Sequence, residues 1–140
     1  ISHLSLIVES KNGKISFDNQ AENTQIVGNE THLINVFVNI LDNAAKYNNN
    51  RPQILIKTKN INDKVIVDIE DNGIGMTKSV QSKIFDKFYR KQTGDVHDVK
   101  GHGLGLAYVK KIIDFHNGNI NVESTLGKGS VFSIQLGLFK

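Results

Sequence analysis

The sequence predicts an α+β domain, a two-layer sandwich with about three helices on one face of a mixed, mostly antiparallel sheet. Three stretches carry the prediction. Apolar residues keep helical spacing over 30–46, strands with alternating apolar residues pair over 54–71, and a hairpin closes the chain between 119 and 136.

The elements follow in order. Residues 1–9 form a short, mostly apolar opening, the tail of a helix or strand entering from upstream. Lys11, Asn12, Gly13 and Lys14 make a turn, and 15–17 and 25–27 read as short strands. Asn29 is placed to cap a helix, with Glu30 favourable in its first turn. Leu33, Ile34, Phe37, Val38, Leu41, Ala44 and Ala45 then mark the buried stripe. That helix should end near Asn48, Asn49 and Asn50, with Pro52 just beyond.

Strands over 54–58 and 64–71 pair around Asn60, Ile61, Asn62 and Asp63. Val65, Val67 and Ile69 share one face by alternation, and Asp71 continues it. A short helix is expected over 77–88, followed by a polar, aperiodic and mobile loop over 89–100. A second amphipathic helix runs from Leu104 to about His116 and stops at Asn117 and Gly118. The last hairpin, 119–124 with 130–136, turns at Leu126, Gly127, Lys128 and Gly129.

Bulk properties narrow the function. A chain of 140 residues can bury roughly two thirds of its surface, enough for one core. No repeat or linker divides it, so residues 1–140 read as a single domain. It begins with Ile1 and shows no signal peptide, and so reads as a fragment of a longer chain. A formal net charge of +3 favours anionic ligands in general but is too small to argue for nucleic acid. The absence of Cys excludes disulfides and thiolate metal sites. The apolar run over 33–41 is broken by Asn35 and Asn39, so nothing here spans a membrane.

Several groups could carry chemistry. Asn39, Asn43 and Lys46 stand at i, i+4 and i+7 of the first helix and project from one face. Amide oxygens can ligate a hard divalent cation, and Lys can meet a phosphate as a point charge. Taken alone, these residues equally describe a solvated face. Asp71 ends an alternating apolar face, where an unpartnered carboxylate is costly and an exocyclic amine would satisfy it. Gly73 and Gly75 follow, allowing close approach, and Met76 continues the pattern; alone, this is also an ordinary turn. Gly101, His102, Gly103, Leu104, Gly105 and Leu106 open a helix whose bare amides and dipole suit phosphate. The spacing is neither a Rossmann fingerprint nor a P-loop. His97, Asp98 and His102 match no standard metal-ligand spacing.

In this order, the groups resemble the ATP-binding catalytic domain of sensor histidine kinases, in the superfamily that also holds gyrase, Hsp90 and MutL. The resemblance runs from the first strands to the last hairpin and implies the Bergerat ATP-binding fold. It makes Asn39, Asn43, Lys46 and Tyr47 the N box, with magnesium on the asparagines, the lysine on the phosphates and Tyr47 beside the nucleotide. Asp71, Gly73, Gly75 and Met76 become the first glycine box, whose Asp reads adenine. Residues 101–106 become the second, although His102 stands where Ser or Thr is often found, so that its imidazole either replaces the hydroxyl contact to phosphate or faces solvent.

Ile84, Phe85, Asp86, Lys87, Phe88, Tyr89 and Arg90 resemble the F box at the base of an ATP lid. There Phe85 and Phe88 act as packing anchors, and Arg90 would stabilise the transferring phosphoryl group. Gly127, Lys128, Gly129 and Ser130 resemble the third box, with Ser130 in the water network around adenine. Related hydrolases carry Glu where this chain has Asn39, and an amide cannot act as general base at neutral pH. The resemblance thus implies Mg-ATP as cofactor and transfer of its γ-phosphoryl group to a histidine of a separate dimerisation domain. No histidine here sits in a phosphoacceptor box, His3 included. A downstream response regulator and a cytoplasmic setting are implied too, whether or not the parent is anchored in a membrane. An ATP-gated switch or weak ATPase, and a silent nucleotide-binding module, are the alternatives.

Overall fold

The computed structural model describes residues 13–22, 28–46, 51–85 and 105–138, with the backbone alone given for Glu30, Ala45 and Lys46. The described elements are β1 (Lys14–Asn19), α1 (Glu30–Lys46), β2 (Gln53–Ile61), β3 (Lys64–Asp71), α2 (Lys78–Gln81), α3 (Gly105–Phe115), β4 (Asn119–Thr125) and β5 (Gly129–Gly137). The strands form one sheet in the order β1-β2-β3-β5-β4. β1 runs parallel to β2, and every other pairing is antiparallel. The mixed two-layer α+β sandwich is therefore present. The expected opening over 1–9, the strand over 25–27 and the loop over 89–100 lie outside the described residues.

Helix α1 begins where a cap allows it. The Asn29 side-chain oxygen accepts from the His32 amide at 3.0 Å, satisfying a donor the helix cannot pair internally. Its buried stripe, Leu33, Val36, Ile40, Leu41 and Ala44, meets Val109 and Ile113 of α3 and the inner face of the sheet. Ile34, expected in that stripe, is instead 53% exposed, because the stripe turns through Val36 and Ile40. Helix α3 stops in a Schellman motif. Asn117 takes the left-handed conformation (φ 57°). The Gly118 amide then donates to the Ile113 carbonyl at 2.9 Å and that of Asn117 to Asp114 at 3.0 Å.

The β2–β3 turn is tighter than the sequence suggested. Pairing continues to Ile61 and Lys64, leaving Asn62 and Asp63 as the turn. Asn62 tolerates the positive φ of 55° that this tightness demands.

Helices α1 and α3 pack antiparallel: His32 Nδ1 meets the Tyr108 hydroxyl at 2.8 Å, and His116 reaches back to the start of α1. The Asn29 amide can only donate, so His116 Nε2, 3.0 Å away, is the accepting nitrogen. Nδ1–H then donates to the Ile112 carbonyl at 2.7 Å. This imidazole links the end of one helix to the start of the other. Replacing it by Leu should lower stability by about 1 kcal/mol, measured by urea unfolding. An unchanged midpoint would mean that water replaces the ring at no cost.

Candidate functional site

The core-facing side of the sheet is built from rows that cross the strands. Thr58, Val67, Ile134 and Ile120 form one row, and Ile56, Ile69, Phe132 and Val122 form the next. At the end of this apolar face the character changes. Ile54 pairs with Asp71, Asp71 with Ser130, and Ser130 with Ser124. Residues directly opposite in antiparallel pairs share a face, so these three polar groups lie side by side at the rim of the core.

Asp71 is half-buried, and its carboxylate accepts from the Gly73 amide at 2.8 Å. Burial pushes its carboxyl above the ordinary value, against the opposing pull of the Gly73 and Ser130 amides. A carboxylate offers about four lone-pair sites, so these two donors leave acceptor capacity for a ligand.

The loop after Asp71 is knitted to the last hairpin. The Met76 amide donates to Ser124 Oγ at 2.7 Å, and the Gly127 amide to the Ile74 carbonyl at 2.7 Å. Gln81, at the end of α2, donates to the carbonyls of Met76 and Ser124, both at 3.0 Å. Asn72 ties the other side: its oxygen accepts from Gln53 at 2.8 Å and its nitrogen donates to Arg51 at 3.0 Å. At Gly75 the loop comes too close to β4 for any side chain. Its φ is +72°, and a Cβ there would lie 2.1 Å from the Thr125 carbonyl oxygen. The glycine is required by its neighbour on β4.

A second group forms where α1 meets the start of α3. The Asn39 side-chain nitrogen donates back to the Asn35 carbonyl at 2.8 Å, leaving Oδ1 for other partners. That oxygen would stand 3.1 Å from a Cβ on Gly105, the first residue of α3. A larger residue at position 105 would crowd Asn39. The half-buried Asn43 lies one turn further on the same face of α1.

The structure thus brings Asp71, Gly73, Gly75, Met76 and Ser130 together, and separately Asn39 with Gly105. Leu106 packs against the core. Phe85 packs edge-on against Phe132, with ring centroids 6.4 Å apart, as an anchor should. Tyr47, Arg90, Gly101, His102, Gly103, Leu104, Phe88 and the Lys46 side chain lie outside the described residues. Sequence reasoning overlooked Ser124, Gln81 and the bridging by Asn72. Ser124 had a signal: Ile120 and Val122 alternate with it, and the hairpin register places it opposite Ser130. Gln81 had none.

Among the described residues no three His, Asp or Glu groups could hold a metal ion. The donors suited to a hard divalent cation are the amide oxygens of Asn39 and Asn43. That set fits magnesium, which commonly keeps waters and takes the rest of its shell from substrate phosphates. Among the described residues, no helix is long and apolar enough to cross a membrane.

Comparison with known proteins agrees with this geometry. The family of histidine kinase-, DNA gyrase B- and HSP90-like ATPases matches residues 28–139. The chain belongs to that family. Among curated relatives, sensor protein RprX of Bacteroides fragilis is 47% identical over 142 residues, covering 100% of this chain and 27% of that protein. The signal transduction histidine-protein kinase ArlS of Staphylococcus aureus is 35% identical over 117 residues, 84% of this chain and 26% of the relative. The chain therefore spans about a quarter of the length of these relatives. Among solved structures, the catalytic domain of histidine kinase ThkA superimposes with a TM-score of 0.81 at 25% identity, covering 97% of this chain and 86% of that one. The Bergerat arrangement of this ATPase family accounts for the sheet order and the helical layer.

Proposed function

We propose that this histidine kinase-like ATPase domain binds Mg-ATP and presents its γ-phosphoryl group to a histidine on a separate helical dimerisation domain. The polar row at the end of the apolar face carries the reading. A half-buried carboxylate with spare acceptor capacity, set beside two serines, suits the edge of a purine bearing an exocyclic amine.

In this reading Asp71 accepts from the adenine amine, and Gly73, Gly75 and Met76 form the loop against which the base lies. Ser130 completes the floor. Lys46 and residues 101–106 meet the phosphates, the latter through backbone amides at the start of α3. Tyr47 lies beside the nucleotide. Asn39 and Asn43 would hold the magnesium ion, which when bound neutralises phosphate charge and orients the triphosphate. Arg90 stabilises the charge that develops on the transferring group. Asn39 offers no base to activate water, which disfavours hydrolysis and leaves proton handling to groups beside the accepting histidine. The partners are then the phosphoacceptor domain of the same parent protein and, downstream, a response regulator. The setting is cytoplasmic, and nucleic acid and membrane lipid are not partners of this domain.

The test supplies the chain with γ-labelled Mg-ATP and the phosphoacceptor segment of its parent. Acid-labile, base-stable label on that segment is the expected product. Free phosphate without labelled protein would replace transfer by hydrolysis. Bound ATP with neither product would leave a nucleotide-binding module.

The metal and lid assignments make separate predictions. Asn43→Ala should weaken ATP binding in magnesium and much less in a chelator. Arg90→Ala should leave the ATP Kd unchanged and slow transfer by roughly 10²- to 10³-fold. Normal transfer with lost affinity would make Arg90 a binding residue instead.

A further inference from the structure

Ser124 lies behind the floor of the proposed adenine site, where it touches three groups at once. The Met76 amide lies 2.7 Å from its Oγ, the Gly129 carbonyl 2.9 Å and the Ser130 Oγ 2.8 Å. A hydroxyl has one hydrogen and two lone pairs. The Met76 amide can only donate, so it takes one lone pair. The Gly129 carbonyl can only accept, so it takes the hydrogen. All three contacts are then hydrogen bonds only if Ser130 donates to the remaining lone pair. The alternative, in which Ser124 donates to Ser130, leaves the 2.9 Å contact between two acceptors without a hydrogen.

The consequence falls on Ser130. Its only hydrogen points back at Ser124, so toward the site it can only accept. It stands directly opposite Asp71 on the same face of the sheet, and Asp71 is an acceptor when ionised. The two side chains therefore both ask for hydrogens and neither offers one to a ligand, the Ser130 amide being already committed to Asp71.

We propose that Ser124 is a positioning residue for nucleotide specificity: it locks the Ser130 hydroxyl as an acceptor, so that this floor takes a 6-amino purine and rejects a 6-oxo purine. The inference rests on the ATP-binding reading above. A 6-amino group brings two donors to two acceptors, whereas a 6-oxo group would place an acceptor against acceptors, the costlier mismatch in a half-buried site. Gln81 holds the same segments together through the Met76 and Ser124 carbonyls without touching the Ser130 hydrogen. It provides the internal control.

The experiment measures Kd for ATP and for ITP on the unmodified chain and on variants compared by their ATP:ITP ratio. The two nucleotides differ in the group at position 6 and in the hydrogen that ITP carries on N1. The unmodified chain should prefer ATP. Ser124→Ala frees the Ser130 hydrogen to turn toward a 6-oxo group, so the ATP:ITP preference should fall about tenfold. Ser124→Thr keeps a hydroxyl and should restore the preference. Gln81→Met loosens the loop and should weaken both nucleotides by the same factor, preserving the ratio. An unchanged ratio in a folded Ser124→Ala chain would overturn the proton assignment, as would an equal collapse in Gln81→Met.

Ser130→Ala tests the same hydrogen if Ser124→Ala does not fold. It should weaken ATP and leave ITP no weaker; if ITP is the nucleotide that weakens, Ser130 is a donor and the inference fails. An unmodified chain with no affinity for ATP would overturn the nucleotide reading itself, and this inference with it. Normal ATP affinity with an unchanged ratio would overturn this inference alone.

Discussion

Asp71→Asn is expected to weaken ATP binding by about 10- to 100-fold, the worth of a hydrogen bond to a charged acceptor in a half-buried site. The same change should leave the unliganded chain as stable or slightly more so. The reason is the sign of the Asp71 shift. Burial, its largest cause, raises the carboxyl above its ordinary value, so the folded state disfavours the charge that the ligand uses. As pH rises from the ordinary carboxylate range through the raised value, the unfolded chain has already lost this proton while the folded chain still holds it. The Asp71 contribution to stability therefore declines with rising pH across that window, and is most favourable below it.

ATP affinity should move the opposite way, improving as Asp71 ionises. Two measurements separate these effects: titration calorimetry of ATP against pH, and urea unfolding of both chains at neutral pH. Unchanged affinity in Asp71→Asn would remove this carboxylate from the site. A large loss of stability would make its role structural.

Gly75→Ala should be among the most damaging single-methyl additions in the described part of the chain, costing about 3 kcal/mol or more. The added Cβ would lie 2.1 Å from the Thr125 oxygen and 2.7 Å from its carbon. Both are backbone atoms of a paired strand, so no side chain can swing aside to make room. The φ of +72° adds roughly 1–2 kcal/mol of left-handed strain for any residue with a Cβ. Gly127→Ala is the matched control. It shares the positive φ, at +84°, but a Cβ there meets nothing within 4 Å, so only the strain of about 1 kcal/mol should appear. Urea unfolding of the two variants separates strain from collision. ATP affinity in whatever Gly75→Ala chain folds should fall too, because the loop must leave β4. Equal midpoints would show that the loop shifts at little cost, and that its contact with β4 does not set its position.

Much of this arrangement is legible from local pattern. The buried stripe of α1 follows helical spacing, and the structure returns the helix over Glu30–Lys46 with Asn29 as its cap. Ile34 departs from the reading because spacing gives an arc of possible faces and packing against α3 and the sheet selects one. Asp71 was legible as the polar end of an alternating strand, and Gly75 as a residue needing freedom. The partner that makes Gly75 necessary, the Thr125 carbonyl, was not legible, because it lies on a different strand.

The sequence by itself determined the two long helices, the paired strands, their order and the chemical types at the site, because helical and strand periods and the glycine motifs are local properties of the chain. The helix expected over 77–88 is, in its described part, only Lys78–Gln81, with 82–85 in turn, because so short a segment has no sustained period. Only the tertiary structure decided which polar groups share a row and which way their hydrogens point. Ser124 meets Met76 across 48 positions, and Gln81 meets Ser124 across 43. Such contacts depend on strand register and on the docking of a four-residue helix, which no local period specifies. Hydroxyl direction depends in turn on every donor and acceptor around it, so it exists as a property only once the fold has assembled them.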